Sequence, residues 1–266
     1  MVIEAVILGL VQGLTEFLPV SSSGHLVLLQ RIFGIAEPVL FFDTLLHGGT
    51  LIAVVAVLWP DIWGILQKLI QPLTGFLILA TIPAVIAALF FKDRIEAAFA
   101  SGAFLGFSFL ITSLLLIFSH VMTKKPGRSR SQIEMNWLDA LIIGLLQAVA
   151  IVPGVSRSGS TLSGGLFRRL DRNFAARFSF LLSIPAILGA LVLQLKDLIQ
   201  TESPVTGGFS PLAMAIGTLT AAVVGFFSIR LMLKIVRERS LLGFAIYTAV
   251  LGALVLVDQY LGHVFF

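Results

Sequence analysis

The stretch "VQGLTEFLPVSSSGHL", Val11–Leu26, sets an acid, three consecutive serines, a glycine and a histidine between apolar neighbours. The rest of the chain explains why this is unusual. Of 266 residues, 58% are hydrophobic and 12% charged, and the mean hydropathy is +1.03. Soluble domains carry about 25% charged residues, so a water-soluble fold could not cover its surface with what remains. The sequence is that of an all-α integral membrane protein. Its polar clusters therefore sit where polar groups are costly.

Six apolar stretches are long enough to cross ~30 Å of hydrocarbon: Phe41–Trp59, Phe76–Phe91, Ala103–Val121, Phe178–Leu195, Pro211–Leu231 and Leu241–Leu261. Two more, Ile3–Leu29 and Leu138–Leu166, are broken near their middles by "PVSSSG" at 19–24 and "PGVSRSG" at 153–159. Proline removes a backbone donor and glycine loosens the helix, so both segments are expected to turn back inside the bilayer as re-entrant helix–loop–helix hairpins.

The basic residues support this path. With "KKPGRSR" at 124–130 placed in the cytoplasm, thirteen Lys and Arg fall inside, including Lys125, Arg168, Arg172 and Arg239. Four fall outside (Arg31, Lys92, Arg94 and Lys196), and Arg157 lies within the second hairpin. That bias follows the positive-inside rule and puts both termini outside. The net charge of +4 is accounted for by these loops, and nucleic acid is not an expected partner. The absence of cysteine excludes disulfides, thiolate metal sites and thiol nucleophiles. Residues 1–10 contain Glu4 and lack a basic start, so they do not read as a cleavable signal peptide.

The broken segments also resemble each other. Gln12 matches Gln147, and Ser21–Gly24 match Ser156–Gly159, all at an offset of 135. A hairpin followed by three spans thus occurs twice in one membrane domain, at about 1–123 and 136–266. Because three is odd, the second copy enters from the opposite face, giving the inverted-topology repeat known from transporters. "TIPAVIAAL" at 81–89 and "SIPAILGAL" at 183–191 are also alike, but at an offset of 102 that this repeat does not explain.

Glu16, His25 and Arg157 are ionisable groups at membrane depth and should face a wet cavity and each other. Around them, Ser21, Ser23, Gly24, Ser156, Ser158, Gly159 and Thr161 offer hydroxyls and backbone N–H groups suited to phosphate oxygens. Arg157 can bind two such oxygens at once. Glu16 shares a helix face with Gln12 at i, i+4 and can accept a proton or help hold a divalent cation. Ser22 precedes His25 by three residues, which sets a hydroxyl beside a candidate base. His47, in "LLHGGT", is another intramembrane candidate, read first as a packed or interfacial histidine, and Arg168–Arg177 is read as an interfacial loop. A carrier of a lipid phosphate or small anion, or a flippase, is the alternative that the repeat architecture suggests.

"QGLTEFLPVSSSGHL" and "PGVSRSGSTL" resemble the two signature segments of the bacterial undecaprenyl-diphosphate phosphatases of the bacitracin-resistance type. "FDTLLHGGTLIAV" and "FSFLLSIPA" extend the resemblance over essentially the whole chain. It implies a multi-pass protein of the bacterial inner membrane that hydrolyses the C55 lipid diphosphate to the monophosphate and phosphate. That reaction recycles the carrier for peptidoglycan, with bacitracin competing for the substrate. The family's divalent-cation dependence (Mg2+ or Ca2+) points to Gln12 and Glu16, where relatives carry two acids and this chain has one. Its important serine and histidine fall on Ser22 and His25, and its loop serine, arginine and threonine on Ser156, Arg157 and Thr161. A homodimer is a further expectation.

Overall fold

The computed structural model describes residues 1–35, 39–124, 127–200 and 208–266, so Lys125 lies outside the described residues. Twelve α-helices follow one another among them. They are α1 (Val2–Thr15), α2 (Ser22–Ile32), α3 (Leu40–Val57), α4 (Trp59–Gln67), α5 (Pro72–Phe90), α6 (Lys92–Ser101) and α7 (Leu105–Lys124). After a 3-10 turn at Gln132–Glu134 come α8 (Trp137–Val149), α9 (Arg157–Phe167), α10 (Arg172–Gln200), α11 (Pro211–Glu238) and α12 (Leu242–Val257). Among the described residues six helices, α3, α5, α7, α10, α11 and α12 as continued by the π-helical turn Asp258–Gly262, are long and apolar enough to span a bilayer. They match the six expected stretches. Their outward faces are apolar, with Leu114 and Leu219 about two-thirds exposed, as suits a surface solvated by lipid.

α1, α2, α8 and α9 are shorter. At 1.5 Å per residue, 14 residues reach about 21 Å, too little to cross alone. α1 with α2, and α8 with α9, are each joined by a short loop, and the second pair doubles back on itself. For α8 and α9 the return is visible in one ion pair: Arg168, just past α9, donates to Asp139 in the first turn of α8 at 2.6 Å. Arg130 donates to the same carboxylate at 2.8 Å.

Charged groups gather in two clusters. At one end lie Asp139 with Arg130 and Arg168, Asp61 with Arg177 at 3.0 Å, and Arg172 on the Arg239 carbonyl. At the other, Arg31 donates to the carbonyls of Ala100 (3.0 Å), Ser101 (2.6 Å) and Phe265 (3.4 Å). That joins the end of α2, the end of α6 and the C-terminus. Arg172–Arg177 is a correction to the expected loop: it forms the first turns of α10, because the Asp171 carboxylate accepts the Phe174 N–H at 3.0 Å and caps the helix.

Helix packing repeats between the halves. α1 lies on α11 and α8 lies on α5; α3 meets α10, and α7 meets α12. Exchanging the halves maps each of these pairs onto one of the others or onto itself. Small residues permit the closest approaches. A Cβ on Gly9 would stand 2.2 Å from the Gly217 carbonyl oxygen, and one on Gly144 would stand 2.6 Å from that of Ala80. The two alike segments at 81–89 and 183–191 fall in α5 and α10, which pack on each other without being counterparts.

Candidate active site

The two helix breaks meet. Ser158 donates to the Leu18 carbonyl at 3.0 Å, and the Gly154 N–H reaches Ser23 Oγ at 3.4 Å. Gly24 stands against Gly154, where a Cβ would lie 3.0 Å from the Gly154 Cα and 2.7 Å from the Phe109 ring. The tips are also built alike. Ser21 caps α2 by accepting the Gly24 N–H (3.2 Å), and Ser156 caps α9 by accepting that of Gly159 (3.0 Å).

Glu16 is the centre of the junction. It ends α1, and its carboxyl is 6% exposed as a residue. One oxygen pairs with the Arg157 guanidinium. The other accepts from Ser22 Oγ at 2.6 Å and Gln12 Nε2 at 3.0 Å, with His47 Nε2 at 3.4 Å. A second Arg157 nitrogen donates to the Ser179 carbonyl at 3.3 Å, and Ser179 is itself held by Thr161 at 2.6 Å. A residual charge that would be unsupportable in hydrocarbon is thus surrounded by donors from both halves of the chain.

A cavity of about 330 Å³ opens beside this cluster. Glu16, Ser21, Ser22, Ser23, Ser156, Arg157 and Ser158 form its polar floor, and His47 and Asp43 join them from α3. Leu26, Ile95, Phe99, Ile151 and Ile187 supply apolar walls, with Lys92 and Glu96 of α6 at the rim. One compartment therefore offers hydroxyls and a guanidinium to an anion and a greasy surface to whatever the anion is attached to.

Several expected residues are placed elsewhere. His25 does not reach Ser22: its Nδ1 lies 2.7 Å from the Ser21 carbonyl and its Nε2 2.7 Å from the Tyr247 hydroxyl. The side chain that accepts from Ser22 is the Glu16 carboxylate. Gln12 stands behind Glu16 rather than on the cavity wall, and its Oε1 is buried without a partner. Gly24, Gly159 and Thr161 are off the wall too. The first lets the tips touch, the second is bound by its own cap, and the third positions Ser179 and through it Arg157.

His47 is the correction in the other direction, because it faces Glu16 and the cavity. Its spacing of four from Asp43 puts both on one face of α3 and was the available signal. Nothing local in the sequence marked Ser179 or Tyr247.

For a divalent cation, no cluster of three His, Asp or Glu side chains forms among the described residues. The cavity lining does carry carboxylates, Glu16 and Asp43 among serine hydroxyls and Glu96 on α6. That all-oxygen set fits Mg2+ or Ca2+ when phosphate oxygens and water complete the shell.

Fold and site together define a multi-pass helical membrane protein with a polar-floored cavity lined by a buried acid, a serine and an arginine. The chain belongs to the bacitracin resistance protein BacA family, whose model matches residues 5–254. Relatives agree over nearly full length. An undecaprenyl-diphosphatase of Carboxydothermus hydrogenoformans is 46% identical over 97% of this chain and 98% of its own. Undecaprenyl-diphosphatase 4 of Bacillus thuringiensis is 42% identical over 99% of both chains. An undecaprenyl-diphosphatase of Alkaliphilus metalliredigens is 41% identical over 96% of this chain and 97% of its own.

Proposed function

We propose that this protein is a membrane phosphatase that hydrolyses undecaprenyl diphosphate to undecaprenyl phosphate and inorganic phosphate. The observation that carries the reading is the short contact from Ser22 Oγ to Glu16 Oε2, 2.6 Å, on the floor of a cavity shared with Arg157. Glu16 is placed to take the Ser22 proton as Oγ attacks the terminal phosphorus. The bond to the bridging oxygen then breaks, and its electrons leave with the lipid monophosphate. Glu16 passes that proton to the departing lipid monophosphate, then takes one from the water that attacks the phosphoserine phosphorus. It returns this proton to Ser22 Oγ as the P–O bond breaks and phosphate leaves. Arg157 can move from Glu16 onto the phosphoryl oxygens, where charge accumulates as the bond breaks. A divalent cation would be held by Glu16 and Asp43 with the diphosphate, and would supply further charge neutralisation.

The membrane placement belongs to the same proposal. The two helix pairs are re-entrant hairpins of an inverted repeat, about 1–123 and 136–266, with the arginine-rich end in the cytoplasm of the bacterial inner membrane. Their short helices, their touching tips and the exchange of packing pairs between halves support it. The polyprenyl chain stays in lipid while its diphosphate enters the cavity. Bacitracin would slow turnover by sequestering the lipid diphosphate. A homodimer would not be needed for turnover, since one chain supplies every group named here.

Purified protein in detergent should release phosphate from polyprenyl diphosphate with Mg2+ or Ca2+ present. A carrier would need sealed vesicles, so an absence of release in detergent together with transport into vesicles would overturn the assignment.

A further inference from the structure

Ser21 has φ +71° and ψ +94°, in the left-handed half of the map where a Cβ collides with the backbone. Capping does not require this. Ser156, its counterpart 135 residues on, makes the same cap with φ −68° and ψ +114°. The second tip takes its positive φ two residues earlier, at Gly154 (φ +89°), and the tips differ again four positions past the caps, with His25 in the first and Ser160 in the second. Ser160 buries its hydroxyl without a partner, whereas His25 binds at both ring nitrogens.

The contacts assign the ring's hydrogens. A carbonyl only accepts, so Nδ1, 2.7 Å from the Ser21 oxygen, carries the proton. In the neutral ring Nε2 then accepts from the Tyr247 hydroxyl at 2.7 Å. The His25 ring also stacks on Tyr247, with centroids 5.7 Å apart, and meets the Phe109 edge at 5.5 Å. It is buried away from the cavity wall. The residue after Ser21 is Ser22, whose Oγ reaches Glu16.

Resting on the phosphatase reading above, we propose that Tyr247 is a positioning residue of the active site. Its hydroxyl holds the His25 ring, and the His25 Nδ1–H clamps the Ser21 carbonyl. That clamp keeps the positive-φ backbone which aims Ser22 at Glu16. The last span thereby sets the geometry of a nucleophile carried at the other end of the chain. The first tip needs the clamp because it carries the reacting hydroxyl, and the second tip lacks one.

The test uses full-length protein and initial rates of phosphate release from polyprenyl diphosphate. Wild-type release tests the phosphatase reading alone; the clamp is judged on variants relative to wild type. Tyr247→Phe removes one hydroxyl and should lower kcat on the order of tenfold with KM unchanged, as a small misplacement of a reacting group does. His25→Asn keeps an N–H near the place of Nδ1 and should retain clearly more activity than His25→Ala. A histidine acting as acid or base would lose both alike. Adding Ser21→Gly to Tyr247→Phe should restore part of the lost kcat, because glycine takes positive φ freely. One readout is independent of turnover: the His25 Nδ1–H should give a slowly exchanging NMR signal that Tyr247→Phe removes. Wild-type kcat in Tyr247→Phe, equal loss in the two His25 variants, or an unchanged Nδ1–H signal would each overturn the clamp.

Discussion

Two oxygens of Glu16 serve Arg157, Ser22, Gln12 and His47, and the arginine in turn spans Glu16 and the Ser179 carbonyl. Arg157→Lys keeps the charge and loses the planar fork that makes both contacts. Phosphate release should fall tenfold or more, about 1.4 kcal/mol of transition-state stabilisation, and steady-state kinetics would show it in kcat. Glu16→Gln removes the base and leaves Arg157 without its counter-ion. Turnover should be lost, and stability should drop by up to about 3–5 kcal/mol, the cost of stranding a buried partner. Thermal unfolding in detergent, repeated with inorganic phosphate to pair the arginine, should show the drop and its partial recovery. Gln12→Glu places a second carboxylate where an amide now donates to Glu16. Activity should persist with a steeper requirement for divalent cation, read from rates across a Mg2+ titration.

The short helices succeed as elements because they lie on spans through glycine. Gly9 against Gly217 and Gly144 against Ala80 are the same contact in the two halves, and neither tolerates a methyl group without backbone movement. Gly9→Ala and Gly144→Ala should each destabilise by about 1–3 kcal/mol, the usual range for overpacking. Gly75→Ala is the control: it lies in α5 with nothing within 4 Å of its Cβ, and should be neutral or slightly stabilising. Melting temperatures of the three variants in one detergent decide it. Loss at Gly75 equal to that at Gly9 would remove the packing explanation. The offset of 135 that pairs Gly9 with Gly144 was legible in the sequence, but the partner helices were not. α11 and α5 present small residues at many positions, and only the folded chain selects Gly217 and Ala80 among them.

Over the whole molecule, the arginine-rich end and the end holding Arg31, α6 and the C-terminus are opposite poles of one bundle. The chain has no cysteine, so single cysteines report without background. Cysteines at Ser129 and Asn173 should react with an impermeant thiol reagent only from the cytoplasm, and one at Arg94 only from outside. If positions 129 and 173 reacted from opposite faces, the second hairpin would be a true span and the shared site would have to be abandoned.

What the sequence determined by itself is what depends on local composition. Apolar length set the six spans, Pro, Gly and Ser clusters set the two breaks, and the basic loops set the poles. Each follows from transfer of single residues between water and hydrocarbon, which needs no knowledge of neighbours. The same reasoning paired Glu16 with Arg157, because charges at membrane depth must find partners, but it also drew in His25, which the structure places elsewhere. Tertiary structure decided the rest. His25 follows Ser22 by three positions, yet its imidazole bonds to the Ser21 carbonyl and the Tyr247 hydroxyl and not to Ser22. His47, Asp43 and Ser179 enter the site from spans far along the chain. A hydrogen bond reaches about 3 Å, and which groups come within that distance depends on how helices rotate and pack. That rotation is set by many weak contacts spread over whole faces, such as the glycine approaches between α1 and α11, and no short motif encodes it.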